Sequence, residues 1–169
     1  MACTIDATVG GAAANSYSTT AEANAYHDTH LYASVWTGVD ETKCKALQMA
    51  TRLLDAMFDW YGEAADDDQR LSWPRIGVEG RVGIIESTVL PDELKEATAE
   101  LARQLLASNT TADSAVEVQG LTALKVGPIE LSFGSATGRA IPDAVFYMVS
   151  HLGSLKQRGG GGSVPLERA

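Results

Sequence analysis

An apolar helical stripe runs into Leu53-Leu54-Asp55-Ala56-Met57-Phe58-Asp59-Trp60-Tyr61-Gly62. After an acidic loop the chain resumes at Leu71-Ser72-Trp73-Pro74-Arg75. No other stretch constrains the fold as much. Two indoles on either side of one loop need an interior deep enough to hold both, and the proline after Trp73 forces an extended corner there. The spacing of Cys44, Leu47, Ala50, Leu54 and Met57, widened by Leu53 and Phe58, predicts a broadly buried helix. It opens at Asp40, runs into Trp60 and Tyr61, and breaks at Gly62. Trp60, Trp73 and Pro74 are read as structural anchors, since aromatics at such corners pin a loop to a core and do not by themselves catalyse.

An interior of that depth is within reach of one domain. A chain of 169 residues can bury roughly 68–70% of its unfolded surface, so neither a disulfide nor a metal is required. Cys3 and Cys44 lack a Cys-x-x-Cys spacing and are read as free thiols, with a disulfide left open. The formal net charge is −9 with only 13 Lys plus Arg, which disfavours general nucleic-acid binding through a broad basic face. No cationic-then-apolar leader and no apolar run of about 18 residues is found. The expectation is a protein made in the cytoplasm without a membrane partner.

The remaining elements follow from local signals. Ser18 or Thr19 caps a first helix with Glu22 as capping-box partner, and Ala23, Tyr26, His30 and Leu31 share one side. Glu63 to Gln69, with Asp66-Asp67-Asp68, reads as a solvated loop, and Ile76 to Ile85 as glycine-punctuated with weak strand character. Pro91 opens a third helix carrying Leu94, Ala97, Leu101 and Leu105, and Pro142 a fourth carrying Val145, Met148, Val149 and Leu152. Val116 to Leu124 and Val126 to Phe133 suggest a β-hairpin. The predicted fold is mainly α: a small bundle of about four helices with a minor β-hairpin and extended N- and C-terminal arms. Its divisions are an arm at 1–17, a helical body at 18–152 and a tail at 153–169.

Catalytic and metal signatures are weak. His27 and His30 could share a helix face but lack a third ligand nearby. Asp66-Asp67-Asp68 does not continue as a calcium loop, and Gly77 to Gly83 has neither the Gly-Lys-Ser/Thr ending nor the β-α-β frame of a phosphate cradle. Asp55, Asp59 and Glu63 lie four apart with nothing to suggest acid–base use. The chain is therefore expected to be no enzyme, with no cofactor and no metal. Binding to single-stranded DNA would need aromatics interleaved with cations along a groove. Trp60, Trp73 and Tyr61 instead sit among Asp59, Glu63 and Asp66, with Arg52, Arg70, Arg75 and Arg81 the nearby cations.

Gly159 to Gly162 are costly to order. The tail residues Leu155, Lys156, Arg158, Val164, Leu166 and Arg168 are candidates for docking on a neighbouring subunit or partner. A chain ending at Leu152 is expected to fold.

Several pieces line up in order: Asn15-Ser16-Tyr17-Ser18, Ala21-Glu22-Ala23-Asn24-Ala25-Tyr26, Trp36, Lys45-Ala46-Leu47 with Ala50-Thr51, Leu54-Asp55, Trp60-Tyr61-Gly62, Trp73-Pro74-Arg75 and Leu90-Pro91. Over roughly residues 9 to 152 this order resembles small tailed-phage proteins encoded among the head genes. These are often described as DnaT-like single-stranded-DNA-binding proteins and are similar to head-tail connector adaptors. The resemblance implies a structural virion protein at the head-tail interface that forms a homo-oligomeric, dodecameric ring in the neck. The ring would bind the portal protein and a stopper or tail-completion protein, and double-stranded DNA would cross its channel without sequence recognition. The alternative is a single-stranded-DNA-binding protein of DnaT-like type.

Overall fold

The structure is a computed structural model that describes residues 2–109, 123–126, 129–132 and 141–156. Helices α1 (Thr20–Asp28), α2 (Asp40–Met57), α3 (Asp92–Ala107) and α4 (Asp143–Val149) make up its bulk. Strands β1 (Phe58–Trp60), β2 (Glu63–Ala64), β3 (Arg75–Ile76), β4 (Glu79–Gly80), β5 (Gly83–Ile84), β6 (Ala123–Val126), β7 (Ile129–Ser132) and β8 (Gly153–Leu155) form antiparallel pairs, β1 with β8, β2 with β3, β4 with β5 and β6 with β7. The fold is mainly α, as the periodicity predicts. The hairpin expected after α3 is present as β6 and β7, paired from Ala123 opposite Ser132 to Val126 opposite Ile129.

Helix α3 is the centre of the packing, lying against α2, α1 and α4. Its buried stripe of Leu94, Ala97, Leu101 and Ala102 meets Leu47, Ala50 and Leu54 from α2 and Val145 and Val149 from α4 in one core. Small residues on α1 and α3 (Ala23, Ala99) let those two helices approach closely. Thr19 accepts a hydrogen bond from the Glu22 backbone while the Glu22 carboxylate accepts one from the Thr19 N–H, so α1 starts with the full capping box.

Three local expectations are corrected. Helix α2 does not reach Trp60. It ends at Met57, and Phe58 and Trp60 become the inward residues of β1 because β8 supplies a partner ladder. Helix α1 stops at Asp28, so His30 and Leu31 lie in the turn beyond it and Leu31 is 84% exposed. The cysteines are not free: Cys3 and Cys44 are disulfide-bonded, tying the N-terminal segment to α2.

That segment packs against the body. Thr4 O accepts from Asn15 Nδ2 and Gln48 Nε2, Asp6 and Asn15 bond to each other, and Tyr17 is fully buried. The early Tyr17, the Asp55 of α2 and the aromatic block then converge. Asp55 Oδ1 accepts from the Tyr17 hydroxyl and from Trp60 Nε1 (3.1 Å), and Asp55 Oδ2 accepts from the Ser72 N–H (3.1 Å). Burial, reinforced by the Asp55 charge, pushes the Tyr17 phenol well above its ordinary range, so it stays a donor. Arg75 closes the corner by donating to the carbonyls of Tyr61, Gly62 and Ser72. Gly62 has a φ of 71°, and a side chain there would strike the Ile76 carbonyl.

Asp55→Asn is expected to lose about 1–3 kcal/mol of stability. The amide keeps one acceptor for Tyr17 and Trp60 but turns its NH2 toward the Ser72 N–H, donor against donor. A urea midpoint matching the parent protein would show that the carboxylate is not the hub.

Candidate functional site

The residues singled out for function fall into three groups. Trp73 and Pro74 are buried, Trp60 is nearly so, and the two indoles meet edge-on at 6.0 Å. Leu155 and Lys156 are engaged within the chain: Leu155 pairs with Phe58, and Lys156 donates its N–H to Met57 O and its Nζ to Asp55 O. Arg158, Val164, Leu166 and Arg168 lie outside the described residues. The cations near the tryptophan block are largely spent. Arg75 serves backbone carbonyls, Arg52 bonds Gln48 O and Arg81 faces Glu93. Among the described residues no group of three or more metal-ligating side chains is assembled, and no helix is long and apolar enough to cross a membrane.

The rings gather elsewhere. Tyr26 and His27 at the end of α1, with His30, Tyr32 and Trp36 in the following turn, form one contiguous cluster. Ring centroids are 5.0 Å apart for Tyr26–His27, 5.8 Å for Tyr26–His30, 6.5 Å for His30–Tyr32 and 4.5 Å for His27–Trp36. Trp36 and His27 are its buried side. His27 hydrogen-bonds Ala99 O through Nε2, and burial holds its basicity below the ordinary histidine range, with the Ala99 carbonyl pulling the other way. Tyr26 and His30 are half-buried, and Tyr32 is 71% exposed. The outer edge is therefore a strip of three rings, two half-buried and the third, Tyr32, open to solvent.

A charge network from α3 backs this strip. Glu100 is 4% exposed and accepts from both Nε and Nη2 of Arg103 and from Gln104 Nε2, while His30 Nε2 lies 3.6 Å from it. Burial alone would raise the Glu100 carboxyl, but the Arg103 and Gln104 hydrogen bonds and the Arg103 charge outweigh it and hold it below its usual range. Arg103 also donates to Tyr32 O, and the Tyr32 N–H donates to His30 Nδ1, so the turn carrying the exposed ring is held at two points. Lys43 sits over the Trp36 ring at 5.3 Å. Lys95 lies on the same α1–α3 side, within 3.5 Å of Glu22 and 3.4 Å of Asp92.

Beside the strip, α1 and α3 border a cleft of about 360 Å³ lined by Ser18, Glu22, Tyr26, Thr29, Lys95 and Glu96, among others. A second cleft of about 290 Å³ lies between the β4–β5 turn and His151, and includes Arg81, Val82 and Ile84. It offers Arg81, aliphatic surface and the His151 ring. Among the described residues the α1–α3 side brings several rings, lysines and a recess together.

One comparison bears on this arrangement. A family model described as "Putative DnaT-like ssDNA binding protein" matches residues 1–169. The chain belongs to that family. No curated protein and no solved structure shows a significant match. The match corrects the expectation of a virion connector: the family's description names single-stranded-DNA binding and not a portal, a neck ring or a DNA channel.

The aromatic density of Tyr26-His27-Asp28-Thr29-His30-Leu31-Tyr32 is visible in the sequence, but it reads there as an ordinary helix face. Its significance depends on Glu100 and Arg103, which packing brings from the far end of α3. Nothing local announces that meeting.

Proposed function

We propose that this family member binds single-stranded DNA by stacking bases on the Tyr26–His30–Tyr32 strip, with Lys43 and Lys95 as flanking phosphate contacts and Arg103 holding the strip in place. The carrying observation is the solvent-open ring of Tyr32 in continuity with two further rings, held in place by Arg103 and His30. Base stacking on aromatic side chains tolerates any sequence. With a net charge of −9 and Lys95 already beside Glu22, stacking rather than phosphate contact carries the affinity in this reading. The acidic surface limits adhesion to duplex DNA, whose bases are not free to stack.

Fluorescence anisotropy with a labelled oligonucleotide tests this. Tyr32→Ala should weaken binding by about 1–3 kcal/mol with an unchanged circular dichroism spectrum, because the ring is exposed. Two phosphate contacts at about 0.7 each give a plot of log K against log salt with a slope no steeper than about −1.5. Parent-like affinity in Tyr32→Ala would remove the strip from the interface. A much steeper slope would assign binding to cations elsewhere.

A further inference from the structure

The cleft beside the strip has an uneven hydrogen-bonding character. Glu22, Asp92 and Glu96 contribute carboxylates. Ser18 and Thr29 also line it, and their hydroxyl protons are donated to the backbone carbonyls of Thr19 and Tyr26. Lys95, the cation in the lining, is shared between Glu22 and Asp92. The walls therefore offer many acceptors and few free donors. At about 360 Å³ the cleft is near the lower end of small-molecule sites, which span about 300–1,000 Å³; a single base suits it better than a longer segment. Tyr26 lines the cleft and is also the first ring of the strip, so a strand stacked on Tyr32 and His30 is delivered to its mouth.

We infer that this cleft receives one base of the bound strand and favours cytosine and adenine, which present an exocyclic amine, over thymine, which has none. The inference rests on the single-stranded-DNA reading and deepens it. Cytosine N4 and adenine N6 each present two N–H donors to carboxylates, whereas thymine has a carbonyl oxygen at the corresponding position and a single N3–H flanked by two carbonyl oxygens. Against Glu96 and its neighbours the amine is attracted and the carbonyl repelled. Glu96 is the residue to change, because it is exposed while Glu22 is committed to the helix cap.

The test compares labelled oligo-dC, oligo-dA and oligo-dT of equal length at pH 8 with the full chain and with Glu96→Gln. The expected result is at least fivefold tighter binding of oligo-dC and oligo-dA than of oligo-dT. In Glu96→Gln that ratio should fall toward one while oligo-dT affinity holds or rises, since the amide offers a donor as well as an acceptor. Equal binding of all three by the parent protein, or a preference that survives Glu96→Gln, would overturn the inference and leave the stacking strip standing. If none of the oligonucleotides binds, the single-stranded-DNA reading fails and takes the cleft's role with it.

Discussion

Trp73→Ala should lower the unfolding free energy by about 3–5 kcal/mol, the range for emptying a large aromatic site in a close-packed core. The indole is 1% exposed and meets Trp60 edge-on, with Pro74 buried beside it. Among the described residues its Nε1 has no hydrogen-bond partner, so its contribution is packing, without a bond to be lost. Trp73→Phe, which retains a ring, should lose clearly less. Urea unfolding followed by circular dichroism measures both. A loss below about 1 kcal/mol in Trp73→Ala would show that the corner collapses around the gap, and that this indole is not what joins the β2–β3 corner to α2.

Opening the Cys3–Cys44 bond should cost nearly as much. The cross-link spans 41 positions, for which loop-closure entropy gives about 4 kcal/mol at 25 °C, near the top of the range usually found. Cys3→Ala is the variant to make, since Cys3 is only half-buried whereas Cys44 sits in the core. Its midpoint in urea should fall, and the parent protein in excess dithiothreitol should fall with it. Hydrogen exchange should accelerate first in the segment before Tyr17, which would then depend on non-covalent contacts such as Asp6–Asn15, Thr4–Gln48 and the packing of Ile5 on the core. An unchanged midpoint in dithiothreitol would mean that the two thiols are not joined in solution.

The parts of the fold written in short range were readable from sequence. Thr19 and Glu22 lie three residues apart, so their reciprocal cap follows from spacing alone. Pro91 and Pro142 mark the starts of α3 and α4 because proline lacks the donor that a helix start can spare. The failures have a common cause in distant partners. Phe58 and Trp60 continue the apolar pattern of α2, and only the arrival of β8 makes an extended strand the better solution. Cys3 and Cys44 pair because Tyr17 and Asn15 fold the N-terminal segment back, which no spacing encodes. The candidate site divides in the same way. Its rings are adjacent in sequence, whereas the charges that fix them, Glu100 and Arg103, come from another helix.

The pairing of β1 with β8 also governs the order in which this chain can assemble. Gly153 is pressed against the Trp60 ring and the Asp59 carbonyl so closely that a side chain would collide with them, so β8 must dock without one at that position. During synthesis, α2 and the aromatic rung that follows it leave the ribosome well before their complement exists. A chain ending at Leu152 would leave the Phe58–Trp60 strand without its ladder partner. Contacts so distant along the chain are slow to form, so this ladder is expected to close after the local helices have formed.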